Sequence, residues 1–142
     1  MDKNDLLYEA KRLSASIKQF YEHINKVDDN GWSDVYSRTA EDQYIRNQLS
    51  RAAQLLKSAE YILRDTTAPV KDEGVLLPGE NGRYTLNGQD ITSGYPIEYL
   101  VYDDFDEVHL WRSGRIEYYD GDYRIYNYPE IQLAGLRVRI KH

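Results

Sequence analysis

The hydrophobic period of this chain changes once, and that change fixes what the two halves can become. Leu6, Ala10, Leu13, Ile17, Phe20, Ile24 and Val27 follow one another at spacings of 4-3-4-3-4-3. Lys11, Lys18, Glu22 and Lys26 fall off the stripe. A sustained repeat of this kind is the seam of a coiled coil or a long helical hairpin. The rhythm returns in Ile45, Leu49, Ala52, Leu56, Ala59 and Leu63, at 4-3-4-3-4. Asp2 or Asn4 can cap the first helix, and Asp28-Asp29-Asn30-Gly31 can end it. For the second helix, Ser33 is one candidate cap, and Thr39 with Asp42 three residues on is the other. The spacing predicts an antiparallel αα-hairpin over residues 1–64, with Ala10, Ala52 and Ala59 allowing close approach. Two helices alone leave apolar surface exposed. The hairpin is expected to pack on the second half, on another copy, or on a partner.

Residues 65–73 break the helical pattern and read as a linker. From Gly74 the period becomes two. Candidate strands are Gly74–Leu77, Arg83–Leu86, Ile97–Tyr102, Val108–Trp111, Arg115–Tyr119, Tyr123–Tyr126 and Leu136–Ile140. Segments with turn chemistry separate several of them, among them Asn87-Gly88-Gln89-Asp90 and Asp120-Gly121-Asp122. Ser113-Gly114 reads as a two-residue turn. It would set Trp111 opposite Ile116 and His109 opposite Tyr118 on one side of the sheet, with Leu110 opposite Glu117 on the other. The expected class is α+β. A helical hairpin precedes a small antiparallel β-barrel or curved sheet over 74–142, with an SH3-like barrel as the first architecture to test.

Composition narrows function more than it names it. Nine of the fourteen tyrosines follow residue 70, in a chain with two Phe, two Trp and no Cys. Residues 71–142 carry eight Lys/Arg and thirteen Asp/Glu, net −5, while residues 1–70 carry ten and eleven, net −1. An acidic surface repels phosphate backbones and attracts basic partners. Without cysteine there is no disulfide framework, thiolate zinc site or cysteine nucleophile. The first residues lack a signal-peptide pattern and no apolar run suits a membrane span, so a soluble, cytoplasmic protein is expected. Phosphate-loop, dinucleotide-glycine, Gly-x-Ser-x-Gly and His-Glu-x-x-His patterns are all missing. The expectation is a non-enzyme with no cofactor and no metal.

The β half carries a further pattern: Gly82-Arg83-Tyr84-Thr85-Leu86, Ile91-Thr92-Ser93-Gly94 with Ile97-Glu98, Trp111-Arg112-Ser113-Gly114-Arg115-Ile116-Glu117-Tyr118, and Leu133-Ala134-Gly135-Leu136-Arg137-Val138-Arg139. Over residues 74–140 it resembles a family of small bacterial domains of unknown function. The resemblance implies a plasmid, prophage or conjugative-element setting in Gram-positive bacteria, and it transfers no catalytic residue.

Three groups are candidates for contact. Asp103, Asp104, Phe105, Asp106 and Glu107 form an acidic stretch with one aromatic anchor between two strands, suited to a basic partner or to nothing more than a solvated loop. Tyr118, Tyr119, Tyr123, Tyr126 and Tyr128 are too closely spaced all to point inward. Tyrosine offers large contact area at little rotamer entropy, so Tyr119, Tyr123, Tyr126 and Tyr128 join the partner-binding set. Arg137, Arg139 and Lys141 alternate with Leu136, Val138 and Ile140. They could clamp phosphates, or pair across strands with carboxylates such as Glu98 or Glu117. A His109–Glu117 acid/base pair is disfavoured, because the turn register puts the two on opposite faces.

The resulting expectation is an interaction protein from a phage or mobile element. It would occlude the surface of a nucleic-acid-binding bacterial protein, such as a CRISPR or other defence effector. The alternatives are a nucleic-acid-binding accessory module and a structural homo-oligomer formed through the hairpin.

Overall fold

Helix α1 spans Lys3–Asp29 and helix α2 spans Ala40–Thr67 in the computed structural model, which describes residues 1–32 and 39–142. Each helix starts where a side chain satisfies an otherwise orphaned amide. The Asp5 amide donates to Asp2 Oδ1 at 3.0 Å while the Asp2 amide donates to Asp5 Oδ2 at 2.9 Å, a reciprocal capping box. Thr39 Oγ1 accepts from the Asp42 amide at 3.2 Å. The rival cap, Ser33, lies outside the described residues. After α1, Gly31 and Trp32 both take positive φ, +62° and +60°. The chain leaves the helix there, and the Trp32 indole folds back to donate to the Asp28 carboxylate.

The two helices pack antiparallel through a seam that keeps Ala10, Ile17, Ile24, Leu49, Leu56 and Leu63 of the expected one and shifts the alternate positions by one residue, with Phe20 and Val27 still packed against it. Ile17, Tyr21, Ile24, Trp32 and Ala53 form the buried cluster, and Glu60 is buried with them. Leu6 and Leu13, expected in the seam, are 56% and 54% exposed. Apolar residues stand side by side at Leu6/Leu7, Phe20/Tyr21 and Ala52/Ala53, so spacing alone cannot say which row turns inward. Polar partners decide it. Ser14 Oγ donates to Glu60 Oε1 at 3.1 Å, and Ser50 Oγ donates to Asp28 Oδ1 at 3.3 Å. The seam is Leu7, Ala10, Ser14, Ile17, Tyr21 and Ile24 against Leu49, Ala53, Leu56, Glu60 and Leu63. Helix α2 also runs further than expected, with the Thr66 and Thr67 hydroxyls donating back to the Ile62 and Leu63 carbonyls. Of the stretch read as a linker, Ala68–Lys71 alone lies outside regular structure.

Contacts divide the chain into Met1–Ala68 and Pro69–His142. The second unit holds β1 (Asp72–Val75), β2 (Leu77–Pro78), β3 (Tyr84–Leu86), β4 (Gln89–Ile91), β5 (Pro96–Asp103), β6 (Val108–Tyr119), β7 (Asp122–Ile125) and β8 (Arg137–Ile140). All pair antiparallel, in a five-stranded sheet of order β1-β8-β5-β6-β7 and a three-stranded sheet of order β2-β3-β4. The class is α+β as expected. The sheets do not close, so two open antiparallel sheets rather than a barrel are the form adopted. Both sheets feed one core of Leu76, Leu86, Ile91, Ile97, Tyr99, Ile116, Ile125, Leu133, Val138 and Ile140.

Two turn readings are corrected. Asn87-Gly88 is a tight turn with φ of +48° and +84°, but Gln89-Asp90 beyond it belong to β4. Ser113-Gly114 is no turn at all, and β6 runs straight through it for twelve residues. Trp111 therefore faces Leu100 of β5, not Ile116. Glycine stands at 114 for a different reason. A Cβ there would lie 2.9 Å from Cε1 of Tyr99, the largest fully buried side chain of the core. The missing side chain makes room for a ring.

Candidate binding surfaces

The β6–β7 hairpin is built by Asp120-Gly121, whose φ values of +51° and +84° are those of a two-residue primed turn. That turn sets the register Tyr119↔Asp122, Tyr118↔Tyr123, Glu117↔Arg124 and Ile116↔Ile125. Ile116 and Ile125 point into the core. By alternation Arg115, Glu117 and Tyr119 of β6 stand on the opposite face, with Arg124 and, one residue past β7, Tyr126. The Tyr126 amide donates to the Arg115 carbonyl at 3.0 Å, which extends the pairing by one rung.

On that face each arginine lies over a tyrosine. The Arg115 guanidinium is 4.0 Å from the Tyr126 ring centre, and that of Arg124 is 4.0 Å from the Tyr119 ring centre. Glu117 holds Arg115 Nε at 2.6 Å and accepts from Ser93 Oγ at 3.2 Å. Ser93 in turn accepts from the Tyr118 amide at 3.0 Å, tying the strand to the β4–β5 connection. Tyr118 and Tyr123 meet edge to face at 5.0 Å. Tyr118, Tyr119, Tyr126 and Tyr128 are exposed, while Tyr123 is half-buried. Between them lies an open groove of about 530 Å³, lined by Arg115, Glu117, Tyr118, Tyr119, Arg124 and Tyr126 among others. Tyr119, Tyr123, Tyr126 and Tyr128 were legible as a group. Arg115 and Arg124 were not anticipated beside these tyrosines, although the Asp120-Gly121 turn carries the register that places them.

The acidic stretch is the loop between β5 and β6. Asp103 Oδ1 accepts from the Phe105 amide at 3.0 Å and shapes the turn, and Glu107 takes φ +54°. Phe105 is 93% exposed at its tip. Among the described residues no ion pair reaches Asp103, Asp104, Asp106 or Glu107. This loop and the tyrosine hairpin do not form one site. They sit at opposite ends of β6, about 30–36 Å apart along an extended strand of that length.

The stripe on β8 is neutralised within the sheet. Glu73 pairs with Arg137, and Glu98 takes Arg139 Nε at 2.5 Å and Lys141 Nζ at 3.5 Å. Arg139 also covers the Trp111 ring at 4.3 Å. Glu98, one of two partners anticipated, is used, while Glu117 turns to Arg115 instead. His109 pairs with Tyr102 across β5 and β6, their ring centres 5.1 Å apart. Since β6 is continuous, His109 and Glu117 lie on one strand about 26 Å apart, beyond proton-transfer reach. The expected opposite-face geometry fails with the turn that implied it.

Two tyrosines titrate abnormally. Burial raises Tyr99 above the ordinary tyrosine value, against the lowering influence of nearby Arg112. Burial also raises Tyr21, helped by Glu60 and Glu22 and opposed by Arg64. Both belong to packed interiors rather than to an open site. Among the described residues no acidic or histidine cluster is arranged to hold a metal, and no helix is long and apolar enough to cross a membrane.

Residues 74–140 match the family model of a domain of unknown function, DUF5348. The match covers the β-unit from within β1 to the end of β8 and leaves both helices outside it. No curated protein and no solved structure matches the chain.

Proposed function

We propose that this is a non-enzymatic binding protein whose principal contact surface is the outward face of the β6–β7 hairpin. The observation that carries the reading is the exposure, on one hairpin, of Tyr119 and Tyr126 with Arg124 and Arg115 over their rings. Tyrosine and arginine dominate the energetics of protein contacts, because each combines a broad apolar surface with a polar tip. Here the cross-strand stacking also preorganises them, which lowers the entropy lost on binding. The acidic Asp103–Glu107 loop, with Phe105 at its tip, gives the partner's sign. A basic surface fits it, and the internal pairing of Arg137, Arg139 and Lys141 leaves the domain's acidic balance exposed. A nucleic-acid-binding bacterial protein has such a surface. Its occlusion by a mobile-element or phage protein, for instance a block on a CRISPR or other defence nuclease, is the functional form we propose.

The test is recovery of partners from a Gram-positive bacterial lysate, with and without nuclease, using wild type and a Tyr119→Ala/Tyr126→Ala variant. A stoichiometric protein that survives nuclease and is lost, or weakened about 10- to 100-fold, with the variant supports the reading. Changing Asp103, Asp104, Asp106 and Glu107 to Asn or Gln should weaken the same complex and flatten its salt dependence. Recovery of nucleic acid alone would instead favour the accessory-module alternative. Its bases would stack on the same arginine–tyrosine face, not on the neutralised β8 stripe.

A further inference from the structure

The seam of the helical hairpin divides its remaining surface into two unlike sides. One residue before alternate seam positions lie Leu6, Leu13, Phe20 and Val27 on α1, and Ile45, Ala52, Ala59 and Thr66 on α2; before the others lie Glu9, Ser16 and His23 on α1. One residue after lie Lys11, Lys18 and Asn25 on α1, and Ser50, Lys57 and Arg64 on α2. In an antiparallel pair, rows that precede the seam in both helices fall on the same side. The hairpin therefore has a mainly apolar side and a basic polar side. Leu55 and Ile62 widen the apolar side beyond the alanine row. Leu6, Leu13, Ile45, Leu55 and Ile62 are 56%, 54%, 42%, 67% and 65% exposed.

The relief of this side is specific. The Ser14–Glu60 and Asp28–Ser50 hydrogen bonds fix the level of one helix against the other. Phe20 accordingly stands between the levels of Ala52 and Ala59, and Leu13 stands near Ile62. The large α1 row forms a ridge. The two alanines form a trough beside it, walled on the far side by Leu55 and Ile62.

We infer that the occupant of this side is a second copy of the chain. A two-fold axis parallel to the helices lays each α1 ridge into the alanine trough of the other copy's α2, and every neighbouring pair of helices is then antiparallel. Isologous contacts require this self-complementarity, in which one surface carries both the knob and the hole, and the product is an up-down-up-down four-helix bundle. The five most exposed apolar residues present on the order of 500 Å² per copy. A pair then buries on the order of 1,000 Å², the lower bound for a specific interface. No charged residue stands in the two rows next to the seam, so closing the interface along them strands no charge, while Glu9 and His23 lie one row further out on α1 and are exposed. This inference is independent of the β-hairpin surface, and the two fail separately.

The experiment is sedimentation equilibrium of the full chain across a concentration series into the millimolar range, with helicity followed by circular dichroism. Wild type should move from 16.7 kDa toward twice that mass as concentration rises. Leu13→Asp should weaken dimerisation by about 100-fold with the hairpin still helical, and Ala59→Met, which fills the trough, by about 10-fold. Lys18→Glu, on the basic side, should change nothing. Wild type that stays monomeric throughout overturns the inference and assigns the apolar side to another occupant. So does a dimer indifferent to both Leu13→Asp and Ala59→Met.

Discussion

The two units use the same fraction of apolar sequence in opposite ways. The β-unit closes around ten buried side chains drawn from both of its sheets. Among the described residues the hairpin buries five apolar side chains, one of them the Trp32 indole from beyond its first helix, and leaves several leucines and isoleucines exposed. A two-helix layer has one seam, and a side chain off that seam has nothing to meet. A sheet that curves over a second sheet offers both layers the same interior. The β-unit thus encloses its apolar residues more fully than the described part of the hairpin does. Each unit holds one of the chain's two tryptophans, Trp32 and Trp111, so single-tryptophan variants can follow the two separately.

The largest test of this contrast is truncation of equivalent core residues. Ile116 is fully buried between β5 and β7, and Ile116→Ala should cost about 4 kcal/mol, lowering the denaturant midpoint reported by Trp111. Ile24 in the hairpin seam is 8% exposed, and Ile24→Ala should cost about 2 kcal/mol, read by Trp32. Equal losses would mean the hairpin interior is as complete as the β core and would break the comparison. A smaller effect of opposite sign is expected at Glu60. Its carboxyl is buried in the seam and accepts a hydrogen bond from Ser14. Replacement by an apolar side chain of similar volume removes a desolvated acid, so Glu60→Leu should raise the Trp32 midpoint by about 1 kcal/mol. The same change removes a polar mark that fixes which row of α2 faces α1. A lowered midpoint would show that the Ser14–Glu60 bond outweighs its burial.

How much of this was legible in the sequence follows the same division. The helices could be read from period and caps, because Asp2, Thr39 and the 3.5 repeat are local signals. Which of two adjacent rows forms the seam could not, because Ser14 and Glu60 find each other only across the hairpin. In the β-unit alternation located most strands, but Gly114 misled. A glycine beside a serine has turn chemistry, and the real constraint was the Tyr99 ring arriving from the neighbouring strand. That one error broke β6 in two and gave His109 and Glu117 a relation they do not have. The tyrosine surface was legible as a composition. Its arginines were not, since Arg115 and Arg124 acquire their roles only through the Asp120-Gly121 register. The carboxylate partners of the β8 stripe were half legible: Glu98 sits opposite Arg139 by strand pairing, while Glu73 lies on a strand whose start was placed two residues late, at Gly74.

The smallest expected effect vanishes at neutral pH and sharpens the comparison at the alkaline end. Tyr21 in the hairpin and Tyr99 in the β core both hold their protons more tightly folded than unfolded, chiefly because burial penalises the phenolate. For an acid whose folded pKa is raised, the native state binds more protons above the unfolded value. Its contribution is therefore fully present below about pH 10 and is lost as pH climbs through the folded pKa. Both units should weaken above that point. Tyr21→Phe should flatten the alkaline limb seen by Trp32 and leave that of Trp111 unchanged, and Tyr99→Phe should do the reverse. A single limb shared by both tryptophans and altered by either variant would mean that the two units unfold as one.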